Sequence, residues 1–79
     1  MSNYKVDATL DITDVLCPVT FARTLLKLED MMVGEILEVF LNDGEPLQKV
    51  PKSITDEGHR VILIEKVGDK NRMLVERGE

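Results

Sequence analysis

The chain contains a single cysteine, Cys17, and Pro18 follows it directly. A cysteine does nucleophilic chemistry only as the thiolate, so the surroundings of the sulfur decide whether it can act. Thr9 to Thr13 alternates polar and apolar residues, with Leu10 and Ile12 as the apolar pair, which is the pattern of a half-buried strand. From Phe21 onward the apolar residues Phe21, Leu25, Leu28 and Met32 recur at helical spacing. Proline suits the first helical position, because its missing N–H would be unpaired there in any case. Cys17 is therefore expected at or near a helix N-cap. Free backbone N–H groups and the positive end of the helix dipole favour a thiolate at that place. In an α/β arrangement the step from a strand's C-terminal end into a helix is also where sites form.

Other chemistries for the same residues are weaker. A free cysteine is most often a small buried hydrophobe with no reaction to perform. One cysteine and one histidine cannot supply the three or four ligands of a zinc site, so no metal is expected. Position 20 is threonine, which excludes a Cys-x-x-Cys redox pair. His59 precedes the third expected strand and so belongs at the sheet edge opposite Cys17, which argues against a Cys–His nucleophile–base pair. Arg23 and Lys27 lie four apart on the polar face of the first helix and are expected to be solvated. Met31 and Met32 are expected to pack at its end.

The elements that must hold Cys17 come from 79 residues, enough for one domain over 1–79. A chain of this size buries about 60–65% of its unfolded surface. With 43% hydrophobic residues it can fold without metal or disulfide. One cysteine cannot form an internal disulfide, which points to a reducing compartment. No apolar run approaches the length of about 20 residues that spans a bilayer, and residues 1–5 lack the apolar core of a signal peptide. The expectation is a cytoplasmic protein. A net charge of −5 disfavours direct nucleic-acid binding and attachment to anionic membranes. The only aromatics are Tyr4, Phe21 and Phe40, and both phenylalanines look structural, so no base-stacking platform is expected.

The pattern predicts a strand over Ala8–Thr13, a helix over Pro18–Met32 that stops before Gly34, and a strand over Ile36–Leu41. Asn42-Asp43-Gly44 follows as a turn. Pro51 argues against a continuous helix from Pro46, so a short helix is expected to start near Pro51 and to end before Gly58. The β-branched run Val61–Ile64 lies in a strand over Arg60–Val67, and Gly68-Asp69-Lys70-Asn71 reads as a hairpin turn into a last strand over Arg72–Glu76. The order β-α-β-α-β-β implies an α+β two-layer sandwich, with a four-stranded mixed sheet and two helices on one face. The other face is expected to carry Glu38 and Lys66, with Ile36, Ile62 and Ile64 among them. Asn42, Asp43, Gly44 and Lys70 fall on the edge expected for Cys17. They are turn residues first and a possible docking rim second, and Lys70 could attract an anionic sulfur.

With these residues in place the chain resembles the TusA/SirA-like sulfurtransferase family, from Thr9 to about Arg77. The resemblance rests on Leu10-Asp11, Cys17-Pro18, Gly34-Glu35, Asn42-Asp43, Val50-Pro51 and Gly58-His59. It implies that Cys17, the motif cysteine, carries sulfur as a persulfide and that Pro18 is the first proline of a Cys-Pro-x-Pro motif. Thr20 stands where the family has its second proline. It restores a backbone N–H at about the third helical position, which can reach an N-cap side chain, and it adds a hydroxyl. The resemblance implies a sulfur-donor partner (a cysteine desulfurase or rhodanese-like protein) and a downstream acceptor protein, with no cofactor. Transfer-RNA thiolation, molybdenum-cofactor maturation, selenium handling and sulfur oxidation would all suit such a carrier. A non-catalytic interaction or regulatory module of the same fold is the alternative that Thr20 keeps open.

Overall fold

A computed structural model describes residues 5–13 and 19–78, with only the backbone of Val19. Cys17 and Pro18 lie outside the described residues. Six elements follow in the order β1 (Ala8–Asp11), α1 (Val19–Glu29), β2 (Ile36–Leu41), α2 (Glu45–Asp56), β3 (Arg60–Val67) and β4 (Lys70–Glu76). The strands form one sheet in the order β1-β2-β4-β3. β1 and β2 pair in parallel, and β4 runs antiparallel between β2 and β3. The shortest dimension of 17 Å is that of two layers.

The core lies between the helices and one face of the sheet. Leu37, Val39 and Leu41 of β2 and Met73 and Val75 of β4 are buried there against Leu28, Val50 and Ile54. Alternation puts the β2 residues on that face, as the sequence requires. The inward stripe of α1 differs from the expected one. Thr20, Thr24 and Leu28, spaced four apart, are fully buried, whereas Phe21 and Leu25 are half-buried and Met32 is 75% exposed. Met31, not Met32, closes this end of the core.

Five features depart from the sequence reading, four of them element boundaries. β1 stops at Asp11 because the Asp11 carboxylate takes the Thr13 N–H at 2.9 Å, turning the chain out of the ladder. α1 stops at Glu29, and Gly34 instead serves a separate turn closed by Glu35 N–H to the Met32 carbonyl at 3.0 Å. α2 is one 12-residue helix that runs through Pro51. A proline inside a helix costs about 3 kcal/mol. Burying Val50 and Ile54 completely is worth about 1.5–3 kcal/mol each, which offsets it. Half-buried Leu47 extends the same stripe one turn earlier. α2 ends where the Gly58 N–H reaches the Thr55 carbonyl and the His59 N–H reaches that of Ile54, a Schellman pair. The hairpin loop is only Gly68-Asp69, so Lys70 and Asn71 belong to β4.

The fifth departure inverts a face. A bulge between Val61 and Leu63 shifts the pairing, so that Leu63 opposes Leu74, Ile64 opposes Met73 and Lys66 opposes Asn71. The face away from the helices therefore carries Leu63, Glu65 and Val67 rather than Ile64 and Lys66. Glu38 stays on it as expected, where Arg72 pairs with both Glu38 and Glu65 beside fully buried Leu74.

Candidate functional site

The C-terminal ends of β1 and β2, the start of β4 and the end of β3 meet at one edge of the sheet. The N-terminal end of α1 lies over that edge. Its other end is fixed at the opposite edge, where Arg77 Nε donates to the Leu28 carbonyl at 2.7 Å. The chain leaves β1 through Thr13 and re-enters described structure at Val19, so residues 14–18 connect two stems at this edge.

The stem that leaves β1 is tightly held. Thr13 donates both its N–H and its hydroxyl to Asp11 Oδ1, at 2.9 and 2.5 Å. These two donors hold the Asp11 carboxyl below its ordinary value, and Lys70 at 3.6 Å adds to the effect. The Thr13 carbonyl accepts from Asn42 Nδ2 at 2.5 Å. Asp43 accepts from Lys66 Nζ at 2.5 Å and from Asn71 Nδ2 at 2.8 Å, and these contacts lower its carboxyl, Lys66 most. Asn71 is 4% exposed and also donates to the Leu41 carbonyl. Gly44, with φ of 91°, gives the left-handed turn that starts α2 beside this cluster.

The structure thus brings Asn42, Asp43 and Gly44 together at one edge, as expected. Lys70 is at the same edge but faces away from the helices, paired with Asp11 and lying 4.9 Å over the Phe40 ring. The sequence reading places Asn71 on this edge without a supporting role, and it misses Thr13 and Lys66 there. Asn71 had a readable signal, an amide at the start of a strand. Lys66 did not, because only the bulge turns it toward Asp43.

On the α1 stem, Thr20 is fully buried. Its carbonyl accepts from the Thr24 hydroxyl at 2.8 Å, while its own hydroxyl has no hydrogen-bond partner among the described residues. Farther along α1, Arg23, Leu26 and Lys27 line a shallow groove with Leu10 and Asp30. Among the described residues neither Arg23 nor Lys27 forms an ion pair, in keeping with a solvated face.

His59 sits at the opposite edge, at the start of β3, 8% exposed. Its Nδ1 accepts from the Gly78 N–H at 3.0 Å. Burial lowers its affinity for a proton, and the nearby Arg77 charge lowers it further, against opposing effects of Glu57 and Glu29. It is a structural acceptor remote from the Thr13–Asn42 edge. Among the described residues no group of acidic, histidine or cysteine side chains is placed to hold a metal ion, and no helix is long and apolar enough to cross a membrane.

This fold has known counterparts. A family model described as Sulfurtransferase TusA matches residues 8–77. The chain is 46% identical over 66 residues to the "Putative sulfur carrier protein" of Archaeoglobus fulgidus, covering 84% of this chain and 75% of that one. It is 38% identical over 68 residues to a protein of the same name from Thermotoga maritima, covering 86% of each. Its fold is similar to the crystal structure of a SirA-like protein from Desulfitobacterium hafniense, with a TM-score of 0.76 at 20% identity over 91% of this chain and 99% of that one. At that identity the likeness is one of fold.

Proposed function

The chain belongs to the sulfurtransferase TusA family, and from that premise we propose that it is a sulfur carrier that takes up sulfur as a persulfide on Cys17 and passes it on. The Cys17 thiolate attacks the outer sulfur of a donor persulfide. A Cys17 S–S bond forms, the donor's S–S bond breaks, and the donor leaves as a thiolate. A nucleophile on the acceptor then takes the outer sulfur and returns Cys17 to the thiolate. Each half is an exchange, so no external oxidant or reductant enters.

The reading is supported above all by the edge itself. The stem before residues 14–18 is fastened by Asp11 and Asn42, the stem after them opens α1, and both stems end at one side of the sheet. Such a frame suits a sulfur that must be presented to two successive proteins. Asn42, Asp43, Gly44 and Lys70 are proposed as the rim these proteins meet, and the cytoplasm as the compartment that keeps a lone thiol reduced. Pro18 and Thr20 support the start of α1.

The test is mass spectrometry after incubation with a cysteine desulfurase and cysteine, and separately with inorganic polysulfide. Cys17 should gain about 32 Da per sulfur atom, as a persulfide, which is a reversible cap on a cysteine. Cys17→Ser should abolish the adduct and keep the fold, since serine is a favourable N-cap. If neither source loads Cys17, the carrier reading falls and the non-catalytic interaction module replaces it.

A further inference from the structure

One flank of α1 carries groups that the fold does not use. Arg23, Leu26, Lys27 and Asp30 line a shallow groove there, together with Leu10 of β1. Leu26, at its centre, is 64% exposed. Among the described residues neither the two cations nor Asp30 forms an ion pair within the chain. The strand below is an outer one, paired with β2 alone among the described residues, so it leaves a row of backbone N–H and C=O groups unpaired along the same side.

Helical residues three, four and seven apart lie on one stripe. Asp30 follows the last residue of α1 but keeps the helical turn, because its N–H reaches the carbonyls of Leu26 and Lys27 at 3.2 Å each. Read along the stripe, Arg23, Leu26, Lys27 and Asp30 give a cation, an apolar group, a second cation and an anion. Arg23 and Asp30 are about 10 Å apart along the axis. Such a stripe complements its own reverse. When two α1 helices lie side by side and antiparallel, with their midpoint between Leu26 and Lys27, each Arg23 falls opposite the partner's Asp30. Each Leu26 then meets the apolar stem of the partner's Lys27.

From this complementarity we propose that the groove docks a second copy of the chain, in a two-fold dimer with antiparallel α1 helices. The same axis, perpendicular to the sheet, sets the outer edges of the two β1 strands antiparallel to each other, an arrangement that extends a sheet. The net charge of −5 repels one copy from another at large, and the Arg23–Asp30 pairs supply the local attraction that fixes the register. A stable interface takes about 20–30 residues a side. The groove and a strand of 4 residues supply fewer, so the dimer is weak and reversible. The two Asn42–Asp43 edges then lie at opposite ends of the dimer, and both stay open to other proteins.

Sedimentation equilibrium of the full chain between about 10 µM and 1 mM covers the range of weak association. Wild type should pass from monomer to dimer over that range. Leu26→Glu should stay monomeric throughout with a thermal midpoint close to wild type, since the side chain is exposed in the monomer. Arg23→Glu and Asp30→Arg should each weaken self-association at least about tenfold, because each sets like charges opposite one another. Mixed together, these two variants should form a heterodimer, in which both contacts between positions 23 and 30 join opposite charges. A wild type that remains monomeric to about 1 mM, a very weak affinity limit, overturns the proposal and leaves the groove to a different protein. A dimer that survives Leu26→Glu overturns it as well, and so does a failure of the two charge variants to associate. Cys17 takes no part in these measurements, so their outcome is separate from that of sulfur loading.

Discussion

Asn42 Nδ2 donates to the Thr13 carbonyl at 2.5 Å, joining two residues 29 positions apart. The bond ties the chain that leaves β1 to the chain that leaves β2, just where the segment containing Cys17 begins. Parallel neighbours of this kind have no hairpin to hold their ends together. A side chain does it here.

Asn42→Ala should lower stability by about 1 kcal/mol, the usual net worth of one hydrogen bond. Sulfur uptake on Cys17 should slow several-fold under conditions where the variant is fully folded. Asn42→Asp should be worse in both measurements, because it sets a carboxylate oxygen against a carbonyl oxygen. Thermal melts and timed mass spectra of the adduct give the two quantities. An unchanged uptake rate in Asn42→Ala would reduce this residue to a turn former.

Asn71 should be the most sensitive polar residue of the same edge. It is 4% exposed, and its amide serves both the Leu41 carbonyl and the Asp43 carboxylate. Asn71→Ala leaves the buried Leu41 carbonyl without this donor and should cost about 1–3 kcal/mol in urea unfolding. Lys66→Ala removes only a solvated ion pair with Asp43 and should have a much smaller effect. Equal losses would mean that the charge, not the buried amide, holds the edge.

Helix α2 offers a direct test of why its sequence misleads. Pro51 removes one hydrogen bond from the helix interior, yet the helix continues because Leu47, Val50 and Ile54 form one buried stripe. Pro51→Ala should restore the missing N–H and raise stability by about 1 kcal/mol, the gain being reduced by a more flexible unfolded chain. Ile54→Ala should cost about 2–5 kcal/mol. A Pro51→Ala variant less stable than wild type would show that the proline fixes the helix rather than burdens it.

These elements show what sequence can and cannot give. β2 and β3 were legible to the residue, because alternation in Leu37, Val39 and Leu41 and the β-branched run Val61–Ile64 are local signals. The extent of α2 was not, because the local cost at Pro51 is outweighed by burial that only the assembled core supplies. The faces of β3 were misassigned for a related reason. The bulge between Val61 and Leu63 is set by pairing with β4 and leaves no mark on composition. At the site, Asn42 and Asp43 were legible as turn residues after a parallel strand, and His59 was correctly placed at the far edge. The buried state of Thr20 was hidden, since threonine at that position looks equally suited to a capped, solvated first turn.

His59 should give the fold a dependence on pH near neutrality. Its Nδ1 must be unprotonated to accept the Gly78 N–H, and burial and Arg77 both disfavour the charged ring. The folded state therefore binds a proton less readily than the unfolded state, whose histidine titrates near the usual value of about 6.5. As pH falls through that value the unfolded chain takes up the proton first, and stability drops until the folded histidine also titrates. The slope from this one group cannot exceed about 1.4 kcal/mol per pH unit. The carboxylates of Asp11 and Asp43 are held below the ordinary aspartate value of about 3.9, so their contributions are lost in a separate, more acidic window. Urea unfolding between about pH 7.5 and 5, a range that brackets the ordinary histidine value, should show the decline in wild type and a flat profile in His59→Gln. Gly78→Ala should flatten it too, because a Cβ there would lie 1.8 Å from the Gly58 carbonyl oxygen and force the strap off His59. A decline that persists unchanged in His59→Gln would assign it to another group. His59→Ala should still load sulfur on Cys17, since the histidine acts at the edge away from the Thr13–Asn42 bond.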